Sequence, residues 1–215
     1  MHLKSKILTT TDFEQMDNLF KKTFFNSLSG FKSVNLIGTL DKFGNTNLSI
    51  FSSIFHVGAN PPLIGFIVRP DSVDRHTLQN ILETEVYTIN NIKQDFYIKA
   101  HQTSARYPKE FSEFKECGFT EFYSNSIKAP YVLESNINIG LQKKEIIKLE
   151  LNGTIIVIGE VKEVLLPEDL VEGDGFVNHE KAESITCCGL DSYHTTNILS
   201  RLAYAKPNKL TQKLK

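Results

Sequence analysis

The sequence predicts a mainly β protein, an antiparallel barrel with peripheral helices, on three observations. β-prone segments punctuated by Gly, Asn and Pro turn signals dominate the first half of the chain. A hairpin signal, Asn152-Gly153 between alternating segments, recurs late. Helical patterns interrupt the strands instead of alternating with them, so the antiparallel arrangement is favoured over a parallel α/β sheet. A length of 215 residues without internal repeats or a low-complexity linker points to one large domain.

The elements follow in order. Ser33–Leu40 and Thr46–Phe55 read as strands, joined by Asp41-Lys42-Phe43-Gly44-Asn45, whose Gly and Asn can take positive φ. Asn60-Pro61-Pro62 is expected to break the sheet, and the apolar run Leu63–Val68 fits a strand buried on both faces. Asp74 is placed to cap a helix reaching Leu82, with Leu78, Ile81 and Leu82 as its apolar stripe. Val86–Asn90 returns as a strand. Gln94–Phe119 reads as short helices, one of them over Lys109–Glu116, with Gly118 as the stop. Lys148–Leu151 alternates in period two, Asn152-Gly153 supplies a two-residue type I′ turn, and Thr154–Leu166 continues as a long strand. Residues 1–29 are read as an N-terminal extension, 30–205 as the domain, and 206–215 as a polar, frayed tail.

Composition excludes several function classes. Lys+Arg 24 against Asp+Glu 25 lacks the basic excess of phosphate-tracking proteins, so nucleic acid is not expected as a partner. No run approaches the roughly 20 apolar residues of a membrane span. Met1–Phe20 has no apolar signal block, and three cysteines are too few for a disulfide framework, which together suggest a cytoplasmic, reduced protein. Glycine-rich nucleotide loops, nucleophile elbows and His-Glu-x-x-His are absent. Six scattered histidines and the adjacent pair Cys187-Cys188 give no metal spacing, so no metal is expected and the thiols read as buried.

What remains is a set of hydroxyls and cations at strand ends. Asn47, Ser49, Ser52 and Ser53 share one β segment; Arg69 closes the next; Arg75, His76 and Thr77 open the following helix. A phosphate needs hydroxyl donors, a forked cation and free N–H groups at a helix start, and all three lie within thirty residues. The same residues can serve as turn-satisfying serines and solvated arginines, and on local grounds alone that structural reading is the favoured one.

The order of short motifs adds a further expectation. Asn47-Leu48-Ser49-Ile50-Phe51-Ser52-Ser53, then Pro61-Pro62-Leu63, then Arg75-His76-Thr77 with Asn80-Ile81, resemble the flavin reductase-like (flavoredoxin-like) family of FMN-binding split barrels. Glu113-Phe114, Gly118-Phe119, Lys128-Ala129-Pro130, Ile158–Val161 and Gly189–Tyr193 continue the likeness over roughly residues 30 to 205. Ile50, His76 and Cys187-Cys188 depart from the family's Pro, Asp and Arg-Leu. The resemblance implies an antiparallel split β-barrel of FMN-binding type, with FMN against the Asn47–Ser53 strand, including Leu48. It makes Ser52 the principal phosphate or ribityl contact. Arg75 takes the place of a family Lys, Thr77 matches a family threonine, Arg69 is a further candidate, and Tyr193 lies either near the flavin or in the barrel core. It further implies hydride transfer from NAD(P)H to FMN and on to free flavin, oxygen, a ferric chelate or a partner monooxygenase, with no catalytic side chain and a homodimeric assembly. A non-catalytic flavin-binding or electron-carrier protein of the same fold is the alternative.

Overall fold

The computed structural model describes residues 5–70 and 75–214. Two helices, α1 (Thr10–Gln15) and α2 (Asn18–Leu28), precede strands β1 (Phe31–Ser33), β2 (Asn35–Leu40), β3 (Thr46–Phe51), β4 (Phe55–Ala59) and β5 (Pro62–Val68). Helix α3 (His76–Thr84), strand β6 (Val86–Asn91) and helices α4 (Tyr97–Gln102) and α5 (Glu113–Glu116) follow. The chain continues through β7 (Glu121–Phe122), β8 (Tyr131–Val132), β9 (Asn138–Lys148), β10 (Ile155–Leu165), a 3-10 turn at Glu168–Leu170, β11 (Thr186–Cys188) and β12 (Ser192–His194).

Seven strands form one antiparallel sheet in the order β3-β2-β6-β9-β10-β5-β4. Its two edges, β3 and β4, are consecutive in sequence and joined only by Ser52-Ser53-Ile54. Six interstrand gaps would hold the edges of a flat sheet about 29 Å apart, whereas the connection reaches about 14 Å. The sheet therefore curls until its edges meet, as a barrel left open along one seam. Ser53 fastens that seam: its hydroxyl donates to the Ile67 carbonyl at 3.0 Å and accepts the Ile67 N–H at 3.2 Å. Ser33 adds a bond to the Ile54 carbonyl at 2.9 Å.

Strand β2 is buried on both faces, and alternation splits its side chains between two cores. Ile37 joins Phe66, Val68, Leu78, Ile81, Tyr87, Ile89, Leu141, Ile155 and Val157. Leu36 faces the other way, into Leu48, Ile92, Phe96, Phe114, Phe119, Val132 and Cys187, which α4 and α5 cover. Gly159 has no side chain because the Tyr87 ring and hydroxyl lie where a Cβ would stand.

The mainly β antiparallel reading and the Asp41–Asn45 hairpin match the structure. In that hairpin the Asp41 carboxylate accepts from the Phe43 and Asn45 N–H groups at 2.8 and 2.9 Å, and Gly44 takes φ +90°. Other expectations need correcting. Thr46–Phe55 is two strands separated by the seam. Asn60-Pro61 does not break the sheet but turns β4 into β5, with Ala59 paired to Pro62 and the proline at a strand's first position. Strand β5 buries Phe66 and Val68 but leaves Ile67 38% exposed, so it is not buried on both faces. The Asp74 cap lies outside the described residues; Arg75 holds the N-cap position of α3, and Leu82 faces solvent. Only Glu113–Glu116 of the expected 109–116 helix forms, and Gly118 ends it at φ +70°.

The β9–β10 hairpin pairs Lys148 with Ile155, so its connection is Leu149–Thr154 and not a two-residue turn. The Gly153 N–H returns to the Leu149 carbonyl there at 2.8 Å, and Leu151 is 97% exposed. Helices α1 and α2, most of β9, and β7, β8, β11 and β12 are additional to the expected elements. The tail is not frayed: Leu202 bridges Lys213 antiparallel, and the Leu214 N–H donates to the Arg201 carbonyl at 2.9 Å.

Candidate functional site

The seam opens into a cavity of about 1750 Å³. Its walls come from β3 and the seam, the end of β5, the start of α3, the segment after α4, and the turn between β11 and β12. Asn47, Ser49, Ser52, Ser53, Arg69, Arg75, Thr77 and Tyr193 all line it, although they come from four separate stretches of sequence.

Their internal hydrogen bonds divide these residues by availability. Asn47 is buried and donates from Nδ2 to the Thr77 hydroxyl at 3.0 Å and to the Thr39 hydroxyl at 3.4 Å, which holds the start of α3 against β3. Ser53 is committed to the seam. The Ser49 and Ser52 hydroxyls have no hydrogen-bond partner among the described residues and stand half-buried on the wall, ready for one.

Leu48 behaves differently from expectation. Its side chain is fully buried in the core beneath α5, and it does not line the cavity. Its backbone N–H points off the sheet edge but is occupied, donating to Glu113 Oε2 at 3.0 Å. Outward amides recur every second residue on an edge strand, so the next one along β3 is that of Ile50, which lines the cavity. A ligand edge placed against this strand therefore meets the Ile50 amide and not that of Leu48.

Arg75 stands among like charges. It is half-buried, its Nη2 makes one long bond to the Pro70 carbonyl at 3.4 Å, and its Nε is buried without a partner among the described residues. Burial, then the like charges of Arg69 and Arg106, lower its guanidinium from the ordinary value. No ion pair among the described residues involves any of the three arginines. An unpaired buried donor and convergent cations are costly unless an anion meets them. The fold thus holds positive charge ready beside two free hydroxyls.

Tyr193 closes the far wall. Its hydroxyl meets His101 Nδ1 at 2.7 Å, and its ring lies 5.5 Å from that of Tyr97. Burial, with Cys187 and Asp191 nearby, pushes the phenol up to about 12, so it stays protonated as a hydrogen-bonding group. Cys187 is buried and its thiol is raised by burial, an unreactive setting.

Several lining residues were not among the sequence candidates: Ile50, His101, Arg106 and Glu113. Glu113 is 5% exposed, and burial raises its carboxyl against the opposing effects of the Leu48 N–H and His76. A carboxylate one residue before the phenylalanine of a short helix gives no local sign that it will occupy a strand edge 65 residues away.

Residues 28–183 match the family described as flavin reductase like domain. Among solved structures, the chain is similar to a putative flavin reductase with split barrel domain from Shewanella frigidimarina. The TM-score is 0.90 and the identity 45%, over 94% of this chain and 100% of that one. It shares its fold with nitrilotriacetate monooxygenase component B from Bacillus cereus, with TM-score 0.82, 22% identity, and coverage of 92% of this chain and 100% of that one. It also shares it with flavoredoxin of Desulfovibrio vulgaris, with TM-score 0.68, 21% identity, and coverage of 83% and 91%. The open barrel, its seam-side cavity and these matches agree: the chain belongs to the flavin reductase-like family and has its split-barrel fold.

Proposed function

We propose that the protein is an FMN-dependent reductase that takes hydride from NAD(P)H. The observation that carries the reading is the partly buried Arg75, whose Nε has no partner among the described residues, in one cavity with Ser49 and Ser52, whose hydroxyls have none among them either. That donor set fits a phosphorylated ligand with an apolar ring system, and the cavity has room for it. When bound, FMN supplies the two-electron redox centre that accepts hydride from the nicotinamide and releases electrons to a second acceptor.

The chain's part is binding and orientation. Arg75 and Ser52 would hold the phosphate, with Arg69 adding charge at the end of β5. Thr77, fixed by Asn47, sets the position of the α3 start. The Ile50 amide would donate to the polar edge of the ring, where negative charge accumulates on reduction. Tyr193, held by His101, would border the opposite side. No side chain needs to move a proton, because the flavin carries the redox chemistry. The similarity to a monooxygenase component supports a partner monooxygenase as one destination for the electrons.

The test is an anaerobic visible spectrum of the purified protein mixed with FMN, before and after addition of NADH or NADPH. Retained flavin absorbance that bleaches with either nucleotide is expected. A protein that holds no flavin after washing defeats the proposal, and one that holds flavin but never bleaches is a carrier without reductase activity.

The reading includes a homodimer. Leu19 and Phe31 are 70% and 67% exposed at the cavity rim, and Phe20 and Leu28 extend the apolar surface along α2 at 55% and 64%. A second copy seated there would cover this patch and wall the cavity. Gel filtration should give twice the chain mass, and a monomer that still binds FMN would refute the assembly.

A further inference from the structure

The arginines around the cavity exceed what one phosphate monoester needs. Arg69 comes from the end of β5 and Arg75 from the N-cap of α3. Arg106 comes from the segment between α4 and α5, and all three line the same hollow. Arg106 is near enough to Arg75 for its charge to disfavour that of Arg75. An exposed arginine normally swings toward a carboxylate or into water, away from like charge. Among the described residues Arg106 has neither an ion-pair nor a hydrogen-bond partner, and it faces the cavity.

The neighbouring cation is already engaged. Lys109 lies 4.0 Å from the buried Asp41, whose other oxygen contacts are supplied by its own hairpin. Arg106 is thus an uncommitted cation on that wall, where the Glu110 carboxylate also lines the hollow without an ion pair among the described residues. The cavity, about 1750 Å³ in the single chain, reaches from Arg69 and Arg75 to Arg106, so the three cations border one continuous hollow.

We propose that Arg106 forms a second anion subsite at the cavity mouth, which takes a phosphate ester beyond the one carried by FMN. Two ligands of this redox chemistry carry such a group: the 2′-phosphate that distinguishes NADPH from NADH, and the additional phosphate of FAD. A guanidinium offers the planar donor fork that a phosphate accepts, and an ammonium reproduces its charge but not its fork. Arg106 then decides which nucleotide is preferred without contributing to the first phosphate site. The inference rests on the flavin reading of the cavity.

Equilibrium titrations of the full chain with FMN, FAD, NAD⁺ and NADP⁺ test it, comparing the parent with Arg106→Gln and Arg106→Lys. Arg106 is exposed, so both variants should fold. Arg106→Gln is expected to weaken NADP⁺ or FAD by roughly tenfold, the loss of one charge-assisted contact, while NAD⁺ and FMN stay within about threefold. Arg106→Lys should recover part of that loss. A loss confined to NADP⁺ assigns the subsite to the 2′-phosphate, and one confined to FAD assigns it to the flavin dinucleotide. Equal weakening of NAD⁺, NADP⁺ and FMN, or no weakening of either NADP⁺ or FAD, overturns the proposal. If the parent fails to bind FMN, the flavin reading falls instead, and the NADP⁺ against NAD⁺ comparison still decides Arg106.

Discussion

Replacing Arg75 with alanine should raise the dissociation constant for FMN by roughly 10- to 100-fold, the range of a charge-assisted hydrogen-bonded contact in a partly dry site. The expectation follows from what Arg75 lacks. Among the described residues its Nε is buried and unpartnered, and its one bond, to the Pro70 carbonyl, is long. Removing it breaks little inside the protein, so most of the effect falls on the ligand. Riboflavin has the same ring without the phosphate and supplies the control: its affinity should change by less than about threefold. Fluorescence titrations of both ligands with parent and variant make the comparison. Equal weakening of riboflavin and FMN would show that Arg75 shapes the wall and does not meet the phosphate. The FMN affinity of the parent should also fall with added salt, and that dependence should be weaker in Arg75→Ala.

The largest expected loss of stability is at Phe66. Its ring is fully buried between Phe51, 5.1 Å away in an edge-on pair, and Tyr87, 5.6 Å away. Phe66→Ala should lower the unfolding free energy by about 3–5 kcal/mol, because transfer, cavity and aromatic-pair losses add. Phe66→Leu keeps most of the volume and should cost less. Urea denaturation at equilibrium measures both. Phe51 leans on Phe66 from the cavity side, so the alanine variant should also bind FMN more weakly than Phe66→Leu does. Equal stability for alanine and leucine would mean that the core collapses around the deletion, leaving β5 under-packed in the parent.

Much of this architecture was legible from local signals. The Asp41–Asn45 hairpin, the β5 run and the Ile155–Leu165 strand each follow from turn chemistry or apolar content that acts within a few residues. Errors cluster where distant partners decide. Leu149 and Leu151 alternate as a strand would, yet β10 pairs first at Ile155 with Lys148, and Leu151 is left in solvent. Strand β9 carries a broken local signal, because the polar run Gln142–Glu145 interrupts Ile139, Leu141, Ile146 and Ile147, and pairing on both sides, with β6 and β10, makes it a strand. At the cavity, Asn47, Ser52, Arg75 and Thr77 were marked by composition and motif order. Arg106, His101 and Glu113 became neighbours of that wall only through the packing of α4 and α5. Leu48 shows the same limit in reverse, because its place in the motif says nothing about the carboxylate that occupies its amide.

The edge of β3 has one more consequence. A sheet edge with free outward amides is a template on which another chain's strand can add. Along β3 the Leu48 amide is stoppered by Glu113, while that of Ile50 opens into the cavity. The stretch of β3 that lines the cavity is therefore also where this edge is less guarded against a stray strand. A ligand seated against the Ile50 amide would therefore also block the addition of a stray strand at that point of β3.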